Sequence, residues 1–363
     1  QAQLNAAAAL NVNLTHRIIL ATGTTCTGPY NLPSHTGGTG WILLTGPNLS
    51  SLPPPGTRVG LSDAALMPKI QYGETTQTGA IAALTGAQRY RIIGIEFLQN
   101  DAYAISYALI AMGKNNWDAT NTGYLIVDRS IGHGGLPGNE KTRRFIKADA
   151  TLGHTAMVDS YCYDIKQATN DTQCFATTQN PGPILVQNSF LQASGENFIA
   201  CGETIGNSAY QPANITFRLN TVSKRSNWLS GVSGVKTLLE LKCGSKVLVE
   251  GNTFEDHGGL DGGHSFRLTV RNEVGNVADR QNEVSDLTIR YNLFRRIPNW
   301  INAFGAGDQT SGDGPTKHSK RWNIHDNLIY NLGANCVSGS TCGSQLSIQS
   351  GANGSGCTDP APT

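Results

Sequence analysis

An eight-residue unit recurs along this chain, and its spacing admits few folds. It reads as an alternating apolar strand, then a small or polar residue, often Asn, then an apolar residue two positions on. The copies are YRIIGIEF (90–97), YLIVDRSI (124–131), TAMVDSYC (155–162), PILVQNSF (183–190), ITFRLNTV (215–222), VLVEGNTF (247–254), LTIRYNLF (287–294) and WNIHDNLI (322–329). Their sixth positions fall at 95, 129, 160, 188, 220, 252, 292 and 327, at intervals from 28 residues (160 to 188) to 40 (252 to 292). Period-two strands repeating irregularly near thirty residues exclude the regular helical repeats. They predict an all-β parallel solenoid of about eight to ten coils, each stacked on the last, with length differences absorbed in loops. Asn suits the sixth position because it tolerates left-handed backbone, and Asn side chains in successive coils would stack into a ladder.

A further strand is predicted in each coil, at FIKAD (145–149), CFATT (174–178), FIACG (198–202), LLELKCG (238–244), FRLTVRN (266–272), INAFG (301–305) and QLSIQ (345–349). Residues 1–10 predict a short apolar helix that covers the open edge of the first coil. Residues 46–70 read as a Pro-rich excursion. A solenoid domain is expected over 1–335, followed by a Gly/Ser-rich, Cys-containing tail over 336–363.

The frames IACGE and LKCGS match, and equivalent positions in adjacent coils lie within disulfide reach. This predicts Cys201–Cys243, with Cys174–Cys201 as the alternative, and a small loop closed by Cys336 and Cys342. Eight cysteines without paired C-x-x-C spacing favour disulfides, hence an extracellular, secreted or virion-surface protein. The formal net charge of +1 provides no bulk field for nucleic acid. TRRFIK (142–147) and KHSKRW (317–322) lack the aromatic interleaving of a nucleic-acid groove and read as solvated loops. No apolar run is long enough for membrane insertion. Gly132–His133–Gly134–Gly135 reads as a loop.

With the units laid out, the chain resembles the right-handed parallel β-helix proteins of the pectate-lyase-like class over roughly residues 1–335. SLPPPGTRV, RYRIIGIEF, GPILVQNSFLQASGENF and DLTIRYNLFRRI are similar to stretches of large bacterial and phage β-helix proteins. The segment LLELKCGSKVLVEGNTFE with FRLTVRN resembles, locally, the alginate lyase and chondroitinase B family. That resemblance implies a Lys on one coil and an Arg on the next serving β-elimination, with acidic residues holding Ca²⁺. Laying LELKCG below LTVRNE points Leu241 and Val270 inward, and Lys242 and Arg271 outward with Glu240 and Thr269. The resemblance then implies Lys242 as base and Arg271 as carboxylate partner, with His264 or His257 as acid. It makes Glu240 and Glu250 the Ca²⁺ ligands, and Arg267, His257 and Glu196 line the groove as substrate-binding residues. The Gly-rich insertion DHGGLDGGHS and the lack of a fuller acidic set depart from that family.

The plainer alternative makes Lys242 and Arg271 exposed charges on a solvated sheet face. Two functions are therefore in view. One is binding, with cleavage by β-elimination, of a polysaccharide or cell-surface glycan. The other is a non-catalytic adhesin, tail-fibre or filament module, assembled as a homo-oligomer through the open ends of the solenoid.

Overall fold

The computed structural model describes the chain outside residues 74–78, 114–119, 204, 206–207, 230–233, 259–262, 272–281, 306–317, 338–341 and 350–363. Each recurring unit builds two strands, because the backbone bends in its middle. Residues before the bend join a first sheet that runs from His16–Ile19 to Lys320–His325. Residues after it join a second sheet, from Thr25–Thr27 to Leu328–Leu332. The further strand of each coil forms a third sheet, from Tyr30–Leu32 to Leu346–Gln349. Among the described residues each sheet has 10 strands, and successive coils pair in parallel. The protein is a right-handed parallel β-helix of about ten coils.

The bend has a local cause. Gly94, Arg129, Asp159, Asn188, Leu219, Gly251, Tyr291 and Asp326 all take positive φ, from +43° to +65°. The next residue in each coil turns into the interior and joins a ladder. Ser130, Ser160 and Ser189 hydroxyls accept the backbone N–H of Ile95, Ser130 and Ser160 at 3.3, 3.1 and 3.1 Å. Asn220 then donates to Asn252 at 3.1 Å, Asn252 to Asn292 at 2.9 Å, and Asn292 to Asn327 at 2.9 Å. Two copies therefore align one residue later than their sequence pattern suggests, at Ser130 and Ser189 instead of Arg129 and Asn188. The left-handed turn precedes the ladder residue, and Asn188, which tolerates that backbone, occupies the turn.

Inward positions carry the core. On the third sheet Ile146, Phe175, Phe198, Leu239, Phe266 and Ile301 stack in register. All are at most 1% exposed, and burying each such side chain contributes about 1.5–3 kcal/mol. The expected helix forms at Ala2–Ala8 and buries Leu4 and Ala7. Beside it, the Gln1 amide exchanges hydrogen bonds of 2.8 and 2.9 Å with the Asn31 backbone, extending the edge of the third sheet.

The Pro-rich excursion folds back along the corner between the first two sheets. Leu52, Val59 and Met67 pack on Ile131 there. The Gly56 and Val59 N–H groups donate to Asp159, and Arg58 donates to Asn188, Thr221 and the Leu219 carbonyl.

Cys201–Cys243 and Cys336–Cys342 form as expected. Cys174 pairs with Cys162 and not with Cys201, because both are turned into the core while Cys201 follows the end of its strand. Gly132 and His133 lie in the strand Ile131–His133 and not in a loop. The solenoid also continues past residue 335, since Leu346–Gln349 is the last strand of the third sheet.

Candidate functional site

The outer face of the third sheet carries the chemistry. Register aligns Lys147, Ala176, Ile199, Glu240, Arg267 and Asn302 in one outward column. Arg144 and Gln173 pair three residues earlier along the same two strands. These strands, with Lys242 and the bend at Gly202–Glu203, border a cleft of about 340 Å³. Four of its lining side chains are cationic (Arg143, Arg144, Lys147, Lys242) and two are acidic (Asp171, Glu203). TRRFIK is thus not a solvated loop. Arg144–Lys147 is a strand, and Arg144 and Lys147 are each 4% exposed. Burial is tolerated because each cation has partners, which the local sequence does not reveal.

Those partners converge on Glu203. Arg144 Nη2 donates to one of its oxygens at 2.7 Å and Lys147 Nζ to the other at 2.6 Å. Lys147 also donates to Thr178 at 2.8 Å and lies 3.1 Å from Asp149. Burial alone would raise the Glu203 carboxyl, but Lys147 and Arg144 outweigh it and hold the pKa at about 2. Arg144 Nε donates to Gln173 at 2.8 Å, and Gln173 donates to Glu196 at 2.7 Å. The guanidinium groups of Arg143 and Arg144 lie 4.9 and 5.0 Å over the Tyr107 ring. Lys242, by contrast, makes no ion pair among the described residues.

The Lys242–Arg271 neighbourhood forms through a different register from the expected one. Leu241 pairs with Leu268 and Glu240 with Arg267, two residues away from the alignment that sets Leu241 beside Val270. Phe266 stacking beneath Ile301 and above Leu239 fixes this pairing. Beyond Leu268 the strand ends, and the Arg271 N–H donates to the Lys242 carbonyl at 3.0 Å. The two residues are therefore joined through their backbones. Glu240 and Thr269 point away from the core as expected, yet they are 5% and 7% exposed and hydrogen-bonded to each other. Neither of these two side chains is solvated.

The remaining candidates fall in three places. Glu196 lies beside the cleft but is 1% exposed. Burial, then the carboxylates of Glu240 and Asp171, raise its carboxyl, while Lys236 at 3.6 Å opposes them. Glu250 is on the first sheet, where Arg290 donates to it at 2.6 Å, so it shares no site with Glu240. His264 opens the strand His264–Leu268, and Arg267 lies on its outer side. His257 is 1% exposed and out of a ligand's reach. Among the described residues, no three His, Cys, Asp or Glu side chains cluster to hold a metal, and the expected pair of calcium ligands does not fit that ion.

His257 has a measurable consequence. Burial lowers its pKa well below the usual value, and Lys224, His264 and Arg267 push the same way. The unfolded chain then binds more protons below about pH 6.5, so stability falls as pH drops through that value, by up to about 1.4 kcal/mol per unit. Denaturant unfolding at pH 7.5 and 5 is expected to show this loss, and His257→Leu to reduce it. Equal pH dependence in both proteins would refute the assignment.

One important group left no signal in the sequence. Lys224 is 2% exposed, and its Nζ shares its N–H groups among the carbonyls of Ala193, Ser194, Gly195 and Thr237 and Asn197 Oδ1, all within hydrogen-bond reach. It holds the turn that carries Glu196.

No protein-family model and no curated protein matches the chain. Among solved structures it is similar to an alginate lyase from Paenibacillus sp. (TM-score 0.46, 10% identity, 90% of this chain and 94% of that one). It is also similar to a mannuronan C-5 epimerase A-module from Azotobacter vinelandii (0.41, 14%, 97% and 94%) and to a surface adhesin of Streptococcus pneumoniae (0.37, 12%, 92% and 87%). The shared feature is the parallel β-helix. At these identities and scores the likenesses carry no argument about activity, and the three parallel sheets establish the fold by themselves.

Proposed function

We propose that this β-helix binds an acidic polysaccharide along the outer face of its third sheet and cleaves it by β-elimination. The observation that carries the reading is the cleft itself. It gathers four cationic side chains, and among the described residues Lys242 is unpaired there, with its carbonyl bonded to the backbone of Arg271. In this reading the Lys242 amine takes the proton α to a uronate carboxylate. The electron pair left behind forms the new carbon–carbon double bond as the bond to the glycosidic oxygen breaks; that oxygen takes a proton from water in the open cleft, and the Lys242 ammonium returns its own to solvent. Arg271 and the cleft cations stabilise the carboxylate as charge develops on it. The three disulfides among the described residues and the glycan-binding reading together suit an extracellular location.

The test follows absorbance of the unsaturated product on alginate, pectate and glycosaminoglycans. Wild type is expected to release product on at least one of them. Lys242→Ala is expected to lose about 10²–10⁴ in rate, the usual span for a general base. No product on any uronate, or an unchanged rate in Lys242→Ala, would sink the reading.

A further inference from the structure

We propose that the Arg144–Lys147 corner of the cleft is a binding site for an oxyanion, the carboxylate or sulfate group of a glycan, which Glu203 occupies as an internal stand-in. Glu203 does not belong to the sheet that presents the other groups. It follows the strand Phe198–Ala200 on a bend through Gly202, whose φ is +87°. Its two oxygens bridge two cations at 2.7 and 2.6 Å, as a ligand carboxylate would.

The corner also has donors to spare. Arg144 Nη1 and Arg143 Nε are buried without a hydrogen-bond partner among the described residues, although the Arg144 side chain is only 5% exposed. Buried donors of this kind normally find partners, so their presence beside an open cleft points to a ligand. The Glu203 side chain is 23% exposed and faces that opening. Its withdrawal on arrival of a glycan oxyanion would keep the charge of the corner unchanged, so neither step leaves the two cations bare. The identity of the ligand as a glycan rests on the function proposed above; the anion site does not.

Calorimetric titration of wild type, Glu203→Ala and Glu203→Gln with sodium acetate and with sodium sulfate tests this. Both variants are expected to bind at least one anion tenfold or more tighter than wild type does. Acetate alone would mark a carboxylate site and sulfate alone a sulfate-ester site. Arg144→Met in the Glu203→Ala background should abolish the gain. If Glu203→Ala folds poorly, its thermal midpoint should recover with the binding anion, and Glu203→Gln, which keeps the shape of the side chain, provides the second reading. No gain in either variant, or a gain that survives Arg144→Met, overturns the proposal. Cleavage by wild type without any gain would sink this inference alone. A gain in a protein that cleaves no polysaccharide would leave the anion site standing and remove the lyase.

Discussion

Lys224→Met is expected to destabilise the protein by about 3–5 kcal/mol, because several buried acceptors lose their shared donor at once. Methionine keeps most of the volume but none of the donors. Four backbone carbonyls and Asn197 Oδ1 converge on the ammonium, and of these the Ser194 carbonyl and Asn197 Oδ1 also accept from a second donor, the N–H groups of Lys236 and Ala193 respectively. Each acceptor left dry costs about 1–3 kcal/mol. Removing the ammonium recovers its own desolvation cost, which is why the total stays below the sum. Urea or guanidinium unfolding measures the change. A loss under about 1 kcal/mol would show that water satisfies the carbonyls and that the cage is not what holds the 193–197 turn.

Asn252→Ala should cost a similar amount, about 3–5 kcal/mol, through the ladder. Asn252 Oδ1 accepts from the Asn220 N–H at 2.9 Å and from its side chain at 3.1 Å. Its amide donates to the Phe217 carbonyl and to Asn292, each at 2.9 Å. All of these groups are buried, so truncation leaves several of them unpaired at once. Asn252→Ser provides the sharper comparison. Ser130, Ser160 and Ser189 fill the equivalent place in earlier coils, so a hydroxyl at 252 still accepts one backbone N–H. The loss in Asn252→Ser should therefore be roughly half that of Asn252→Ala. Equal losses in the two variants would mean that cavity formation and not the ladder sets the cost.

The same contrast between repeated and unique partners explains what the sequence revealed. The ladder, the third-sheet strands and the Cys201–Cys243 disulfide repeat a local pattern, and a repeat can be aligned with itself. The two-residue slip at Leu241 shows the limit of that method. Phe266, Leu268 and Val270 all face inward, so sliding the strand by two changes no side chain's face, and period-two patterning cannot detect it. Glu203 and Lys224 are harder still. The partners of Glu203 lie 59 and 56 residues away, and those of Lys224 are mostly backbone carbonyls, which every residue possesses. Without those partners in view, Arg144 and Lys147 look like charges bound for water.

The excursion that crosses the corner between the first two sheets has a consequence for how the whole molecule comes apart. A stack of coils touching only their neighbours behaves as a one-dimensional chain, which can fray from an end one unit at a time. Arg58 breaks that rule, because it bonds to residues 130 and 163 positions further on, several coils away from its own. No coil between its root and its tip can open without breaking contacts made by a segment near the chain's start. The first two-thirds of the solenoid is thereby tied into one cooperative block, with the later coils as the part free to open first.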